Sequence, residues 1–288
     1  MTVPLTSMDD LVKTLNAQTN NLRALIRSIK KLMAEEADIL KRLDTLHREI
    51  PAVERQSQRL RLEQPLIDEI AGALNTWREE TGELESRAKA AFGEELEQLL
   101  AAHGHSLEGN YPKLKTSFYT IVVDIRSNRV TLYYGPEAER IAATPALPED
   151  VCNEILKHET SLADRVLDED AFLADLFEAY SVCLHRSNKR IGAEVPIPEI
   201  FSTFAFITQD TRFVKNPVRA NYHGGDRATF SYDLYSLKER TTGSYEMVTI
   251  TARRGETRSR YDTLWIPGSP GRGTGELISG IKFREATK

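Results

Sequence analysis

Apolar residues recur every three or four positions through the first part of the chain. In a heptad frame, positions a are Leu15, Leu22, Ile29, Glu36, Leu43, Ile50 and Ser57, and positions d are Leu11, Gln18, Leu25, Leu32, Ile39, Leu46, Val53 and Leu60. Because a repeat of about 3.5 residues keeps one apolar seam on a helix, it favours pairing with another helix. We therefore expect a coiled-coil stem that oligomerises through Leu11, Leu15, Leu22, Leu25, Ile29, Leu32, Ile39, Leu43 and Leu46.

The stem is expected to cover residues 1–105, with one helix running from residue 7 to 50. A second apolar seam follows in a shifted frame, with Ile67, Leu74, Thr81 and Ala88 at a and Ile70, Trp77, Leu84 and Ala91 at d. Pro51 and Pro65 bracket the shift, and a proline inside a helix costs about 3 kcal/mol. The rod therefore either kinks or reverses near residues 56–65 into an antiparallel hairpin. The alternative to a coiled coil is a helical bundle that packs on the body of the same chain.

The remaining residues, 111–288, predict an α+β body with a mainly antiparallel sheet. Residues 116–134 are typical of a β-hairpin, with Val130, Leu132 and Tyr134 on one face. The segment 148–207 predicts three helices, over 148–166, 170–186 and 198–207. The segment 228–284 is β-rich, with strands expected at 228–237, 245–252, 260–265 and 277–283. Three helices followed by strands could form a winged-helix-like insert.

Composition places the chain among ordinary globular proteins. Hydrophobic residues make up 40%, charged residues 28%, and the net charge is −5. No apolar stretch approaches the length of a membrane helix, and the first residues lack the pattern of a signal peptide. There are two cysteines, which excludes a disulfide scaffold and favours a reducing compartment. We expect a cytoplasmic protein with no membrane contact.

Residues that could carry chemistry do not form a known motif. The glycine-rich stretch Gly268–Thr274 lacks the lysine and the following helix of a phosphate-binding loop. Cys152, His158, Cys183 and His185 do not have the spacing of a zinc module, and we expect Cys183 on the apolar face of a helix. No catalytic residue, cofactor site or metal site is therefore predicted, and we expect a protein that is not an enzyme.

Positive charge accumulates in the last third of the chain, whereas residues 135–204 are acidic. Arginines flank a predicted β-turn at Gly255, and further cations lie near Tyr222 and His223. Because phosphate contacts rely on arginine and lysine, these cations are candidates for nucleic-acid contact. The set is Arg212, Lys215, Arg219, Arg227, Arg253, Arg254, Arg258 and Arg260.

These patterns favour a non-catalytic assembly or adaptor subunit. The stem would form a homo-oligomer or hetero-oligomer, and the body would bind a second protein subunit or DNA, as in a multi-component bacterial-type complex. The alternative is a DNA-binding protein that dimerises through its stem and contacts phosphates through its basic loops.

Overall fold

The computed structural model describes residues 5–60, 62–257, 259–268 and 274–286. It is a mixed structure, 55% helical and 19% strand, with an N-terminal helical region and antiparallel sheets. The helices are α1 (Leu5–Met33), α2 (Ile39–Arg59), α3 (Gln64–Ala102), α4 (Pro148–Ala163), α5 (Glu169–Arg186), α6 (Ile197–Ile207), α7 (Thr211–Lys215), a 3₁₀ helix (Arg219–Asn221) and α8 (Arg227–Ser236). The strands are β1 (Glu108–Asn110), β2 (Lys113–Thr116), β3 (Tyr119–Asp124), β4 (Arg129–Tyr134), β5 (Glu139–Thr144), β6 (Val195–Pro196), β7 (Thr241–Thr242), β8 (Tyr245–Thr251), β9 (Leu264–Pro267) and β10 (Gly275–Glu285).

The chain divides into two compact units. The helical unit comprises residues up to Leu96 together with 124–130 and 145–148, and the α+β unit comprises the rest. None of the helices among the described residues combines the length and the hydropathy that a membrane span requires.

The single helix expected over residues 7–50 is wrong, because the chain turns between α1 and α2. Asp38 caps α2 by accepting hydrogen bonds from the backbone N–H groups of Leu40 (2.9 Å) and Lys41 (3.2 Å). The Arg42 guanidinium donates to the carbonyls of Leu32 (2.8 Å) and Ala34 (3.1 Å) at the end of α1. Both helix ends are therefore satisfied inside the turn, and Glu36, assigned to a heptad seam, lies in the turn.

A second reversal joins α2 to α3, so the antiparallel hairpin is the correct alternative near residues 56–65. Arg42 makes a bidentate ion pair with Glu80 at 2.7 and 2.8 Å, and His47 Nε2 lies 2.9 Å from Glu85 Oε1. Arg78 also pairs with Glu54. These pairs join residues that a single continuous helix would hold more than about 30 Å apart, so the chain reverses between α2 and α3. Pro51 lies inside α2 without ending it.

An ion-pair cluster links α1 to α2 around a buried carboxylate. Glu49 accepts hydrogen bonds from Lys31 Nζ (2.7 Å) and Arg48 Nε (3.0 Å). Burial alone would raise the pKa of Glu49, but hydrogen bonds from Lys31, Arg48 and Ser28 outweigh it and lower the pKa to about 2. The carboxylate is therefore charged and paired in the folded protein.

The first sheet of the α+β unit has the order β1-β2-β3-β4-β5. Its β3–β4 pair confirms the hairpin expected over 116–134, and Val130, Leu132 and Tyr134 are buried as the alternation predicted. The flanking strands β1, β2 and β5 were not predicted, because they are short or exposed on both faces.

The second sheet has the order β6-β10-β8-β7, with β9 paired to β10. It packs against α5, α6 and α8 in a core that includes Tyr180, Ile200, Phe230 and Phe283. The helices expected over 148–166, 170–186 and 198–207 are confirmed as α4, α5 and α6. Between α6 and the later strands the chain adds α7, the 3₁₀ helix and α8, so the winged-helix-like arrangement stays a prediction.

Two strand predictions in this region are wrong. Residues 228–237 form most of helix α8 rather than a strand, because Asp226 accepts hydrogen bonds from Thr229 N (3.0 Å) and Thr229 Oγ1 (2.6 Å) and caps a helix. Phe230 and Leu234 then share one buried helical face. The strand expected at residue 260 begins at Leu264, after a turn.

Candidate functional site

The first half of α1 exposes an apolar face to solvent. Leu11 and Leu15 each retain 53% exposure, and every described side chain from residue 8 to 20 is exposed. The apolar members follow helical spacing and therefore share one face; they are Met8, Leu11, Val12, Leu15, Leu22 and Ile26. We call these six residues the α1 face.

The second half of α1 carries the same seam into the core of the helical unit. Leu25 and Leu32 are buried together with Leu46, Val53 and Leu74. Leu43 is also buried, and Ile29 and Ile39 are half-buried. The part of the seam assigned to an intermolecular contact from Leu25 onward is thus covered by helices of the same chain.

The length of α2 explains where the coverage stops. Lys31 on α1 lies beside Glu49 on α2 at 2.7 Å. Counting ten residues from this pair along each antiparallel helix brings Arg59, the end of α2, level with about residue 21 of α1. The α1 residues before that point project past the end of α2.

Arg227, one of the predicted phosphate-binding residues, has a structural role instead. Arg227 Nε lies 2.5 Å from Glu139 Oε1, and its guanidinium also donates to the carbonyls of Arg260 and Thr263. Its side chain is only 13% exposed. Arg227 therefore fixes α8 against β5 and the chain before β9, and it is not available to a phosphate.

The basic turn near Gly255 does not bring its arginines onto one strand face. Arg253 and Arg254 lie at a turn in which Arg253 N donates to Glu256 Oε2 (2.7 Å). The Arg260 guanidinium lies over the Tyr261 ring, 4.8 Å from its centroid, and precedes β9. The strand expected over residues 260–265 does not include Arg260, and Arg258 lies outside the described residues.

The other three predicted cations lie on one exposed stretch of the α+β unit. Arg212 and Lys215 are three residues apart on α7 and share a side of this short helix, and Arg219 begins the 3₁₀ helix. Three aromatic rings lie among them, with centroids 5.6–6.0 Å apart. We call this set the aromatic–basic surface; its members are Phe206, Arg212, Phe213, Lys215, Arg219 and Tyr222.

Local hydrogen bonds hold this surface in shape. Asp210 caps α7 by accepting from Arg212 N (2.9 Å) and Phe213 N (3.0 Å), and these bonds lower the pKa of the Asp210 carboxyl. The Gln209 amide donates to the His223 carbonyl (2.8 Å) and accepts from His223 N (2.9 Å). This pair of bonds closes the loop and brings Tyr222 to Phe206.

Sequence reasoning missed Phe206 and Phe213 as surface residues. Phe206 lies at the end of α6, where an aromatic residue is typical of a core, yet it is 62% exposed. The signal that could have indicated it is the alternation of aromatic and basic residues from 206 to 222.

The cysteines and histidines considered as metal ligands are apart. Cys183 is buried in the core as predicted, with Sγ 3.3 Å from Thr203 Oγ1, and Cys152 is buried elsewhere. Among the described residues, no group of three or more His, Cys, Asp or Glu side chains is placed to hold a metal ion.

His158 belongs to a buried tyrosine cluster. Its Nδ1 lies 2.9 Å from the Tyr119 hydroxyl, and its ring packs beside Tyr134. Burial raises the pKa of Tyr119 and Tyr134 and lowers the pKa of His158, so all three are held neutral. Both tyrosines are almost completely buried, which suits a role in packing.

No family model, curated protein or solved structure matches this chain. The α1 face and the aromatic–basic surface are the features of the described residues that indicate a function.

Proposed function

We propose that this chain is a non-catalytic assembly subunit that self-associates through the α1 face. The observation that carries the proposal is the exposure of six apolar residues on one side of α1, four of which precede the stretch that α2 covers. Contiguous exposed apolar surface of this kind marks interaction sites in soluble proteins. A second helix laid along it would remove that surface from water, as α2 does for Leu25 and Leu32.

The charge distribution along α1 favours a second copy in antiparallel orientation as the occupant. Asp9 and Asp10 lie at the start of the helix, and Arg23 and Arg27 lie further along. These four side chains lie at outward heptad positions, and Lys13 already pairs with Asp10 at 3.4 Å, so the charges act between whole helix ends rather than as ion pairs across the seam. Antiparallel pairing brings the acidic end of one copy near the basic end of the other.

The heptad frame gives a register for this pairing. When position a of one helix meets position d of the other, Leu11 faces Leu22 of the second copy and Leu15 faces Gln18. The contact is two-fold symmetric, so each of these pairs occurs twice, and the pair closes without leaving a free surface for further growth. In this proposal the α+β unit stays free to bind a second subunit or DNA within a larger complex.

The proposal is tested by the mass of the full chain in light scattering. Wild type should have twice the 32.5 kDa of one chain. Leu11→Asp with Leu15→Asp should return the mass to one chain, because each change places a carboxylate in the apolar contact. The matched control is Asn16→Asp with Asn20→Asp, which adds the same charge on the opposite side of α1 and should leave the dimer intact. A wild-type monomer, or a dimer that survives the leucine changes, would overturn the proposal.

A second proposed function is contact with nucleic-acid phosphates at the aromatic–basic surface. The observation that favours it is that Arg212, Lys215 and Arg219 lie exposed on one stretch of chain and have no recorded ion pair among the described residues. Changing Arg212 and Lys215 to Gln should weaken DNA binding and reduce its salt dependence. The same change at Arg253 and Arg254 should have little effect. If wild type does not bind DNA at low salt, this function is excluded.

A further inference from the structure

The aromatic rings of the aromatic–basic surface are exposed to an extent that packing does not explain. Phe206 is 62% exposed and Tyr222 is 38% exposed, although each contacts the other rings. Phe206 packs edge-on to Phe213, with centroids 5.7 Å apart, so the pair is fixed before any ligand arrives. A fixed ring with a free face is suited to stacking on another flat group.

A hollow of about 430 Å³ lies between α5 and α6, and Phe206 is one of the residues that line it. The other residues that line it are Val182, Arg186, Ser202, Thr203 and Ile207. Phe206 therefore lines this hollow and also contacts the rings of Phe213 and Tyr222.

We propose that the aromatic–basic surface binds single-stranded nucleic acid, with bases stacked on Phe206 and Tyr222 and phosphates paired with Arg212, Lys215 and Arg219. This inference rests on the phosphate contact proposed above and specifies its ligand. Aromatic faces interleaved with cations are the combination by which proteins bind single strands without sequence preference, because every base has a face to stack.

Duplex DNA fits this surface less well. In a duplex the base faces are already stacked on one another, so Phe206 and Tyr222 would have no partner. The helix nearest the cations, α7, has five residues, which is too short to read a major groove as a recognition helix does. A duplex would therefore use the cations alone and leave the exposed rings in water.

An acidic peptide is the other ligand that the cations would attract. From residue 206 to 222 the chain has three Arg or Lys residues and one Asp, so the surface favours anions of any kind. A run of carboxylates, however, gives the rings nothing flat to stack on. The two ligands therefore differ in how strongly their binding depends on Phe206.

The experiment measures fluorescence anisotropy of the full chain with labelled oligothymidine of about 20 nucleotides, with a duplex of similar length, and with polyglutamate. The expected result is that oligothymidine binds more tightly than the other two. Three phosphate contacts predict a salt slope of about −2, so that affinity falls about twentyfold between about 50 and 200 mM salt.

Two variants separate stacking from charge. Phe206→Leu keeps an apolar side chain but removes the ring, and it should weaken oligothymidine binding about tenfold while leaving the salt slope unchanged. Tyr261→Leu removes an exposed ring that lies outside the surface, and it should leave binding unchanged. Circular dichroism checks that both variants are folded.

Each of the other outcomes would overturn a different part of the proposal. Equal binding to the duplex, unaffected by Phe206→Leu, would overturn the single-strand inference and leave the phosphate contact standing. Absence of binding to either nucleic acid at low salt would overturn both. Preferential binding of polyglutamate would indicate an acidic protein partner and overturn the nucleic-acid inference.

Discussion

The two halves of α1 follow one heptad pattern and have opposite environments. Leu11 and Leu15 are exposed, whereas Leu25 and Leu32 are buried against α2 and α3. The same spacing of leucines therefore indicates which side of a helix is apolar, but it does not indicate what covers that side. In this chain the length of α2 decides where cover by the chain itself ends.

Replacing a buried leucine of α1 should have the largest effect on stability and tests the contrast between the exposed and buried halves of this helix. Leu32→Ala should lower the free energy of unfolding by about 2–5 kcal/mol, because it opens a cavity in the core of the helical unit. Leu11→Ala should lower it by less than about 0.5 kcal/mol, as expected for an exposed position. Both are measured by urea unfolding in a Leu15→Asp background, which weakens the proposed self-association, at a protein concentration where light scattering gives the mass of one chain. Equal losses would show that the two halves do not differ as described.

A similar contrast separates Arg227 from Arg212 in the α+β unit. Arg227→Ala should lower the free energy of unfolding by about 2–3 kcal/mol, because it leaves the Glu139 carboxylate and two carbonyls without their donor. Arg212→Ala should leave stability nearly unchanged and should weaken nucleic-acid binding instead. Thermal unfolding and anisotropy on the same two variants measure both effects. A destabilised Arg212→Ala would show that the aromatic–basic surface depends on this cation for its fold.

The pH dependence of Glu49 on α2, which pairs with Lys31 in the covered part of α1, provides a smaller effect. Its pKa is lowered to about 2 in the folded protein, so its contribution to stability is present above its ordinary pKa and is lost as the pH falls towards about 2. Wild type should therefore lose about 2 kcal/mol more than Glu49→Gln between about pH 5 and pH 2. Urea unfolding at both pH values measures the difference. Parallel losses in the two proteins would show that the cluster with Lys31 and Arg48 contributes no net stability.

The sequence predicted the apolar faces of the first helices but not the turn between them. Residues 34–38 contain neither glycine nor proline, so nothing in them interrupts a heptad reading. The available signal was Asp38 before an apolar residue, which is typical of a helix start. The Arg42 side chain, which satisfies the end of α1, acts across the turn and is not visible in local spacing.

The α+β unit shows why local pattern fails in other places. A strand was expected over residues 228–237, yet the Asp226 cap and the packing of Phe230 and Leu234 in the core made a helix of the same residues. Phe206 and Tyr222 are far apart in sequence, and the two hydrogen bonds between Gln209 and His223 bring them together. A surface that depends on such a loop closure can be recognised only in the folded structure.

Cysteine crosslinking between two copies of α1 tests the central claim most directly. Antiparallel pairing places Leu11 of one copy opposite Leu22 of the other, within the distance that a disulfide spans. A chain with Leu11→Cys, mixed under oxidation with a chain carrying Leu22→Cys, should give the mixed dimer as the main crosslinked species. The native cysteines, Cys152 and Cys183, are buried. Wild type oxidised in the same way gives the background level of crosslinking from these two residues. A crosslink between two copies of the Leu11→Cys chain alone would indicate parallel pairing, and the absence of any crosslink would contradict self-association through the α1 face.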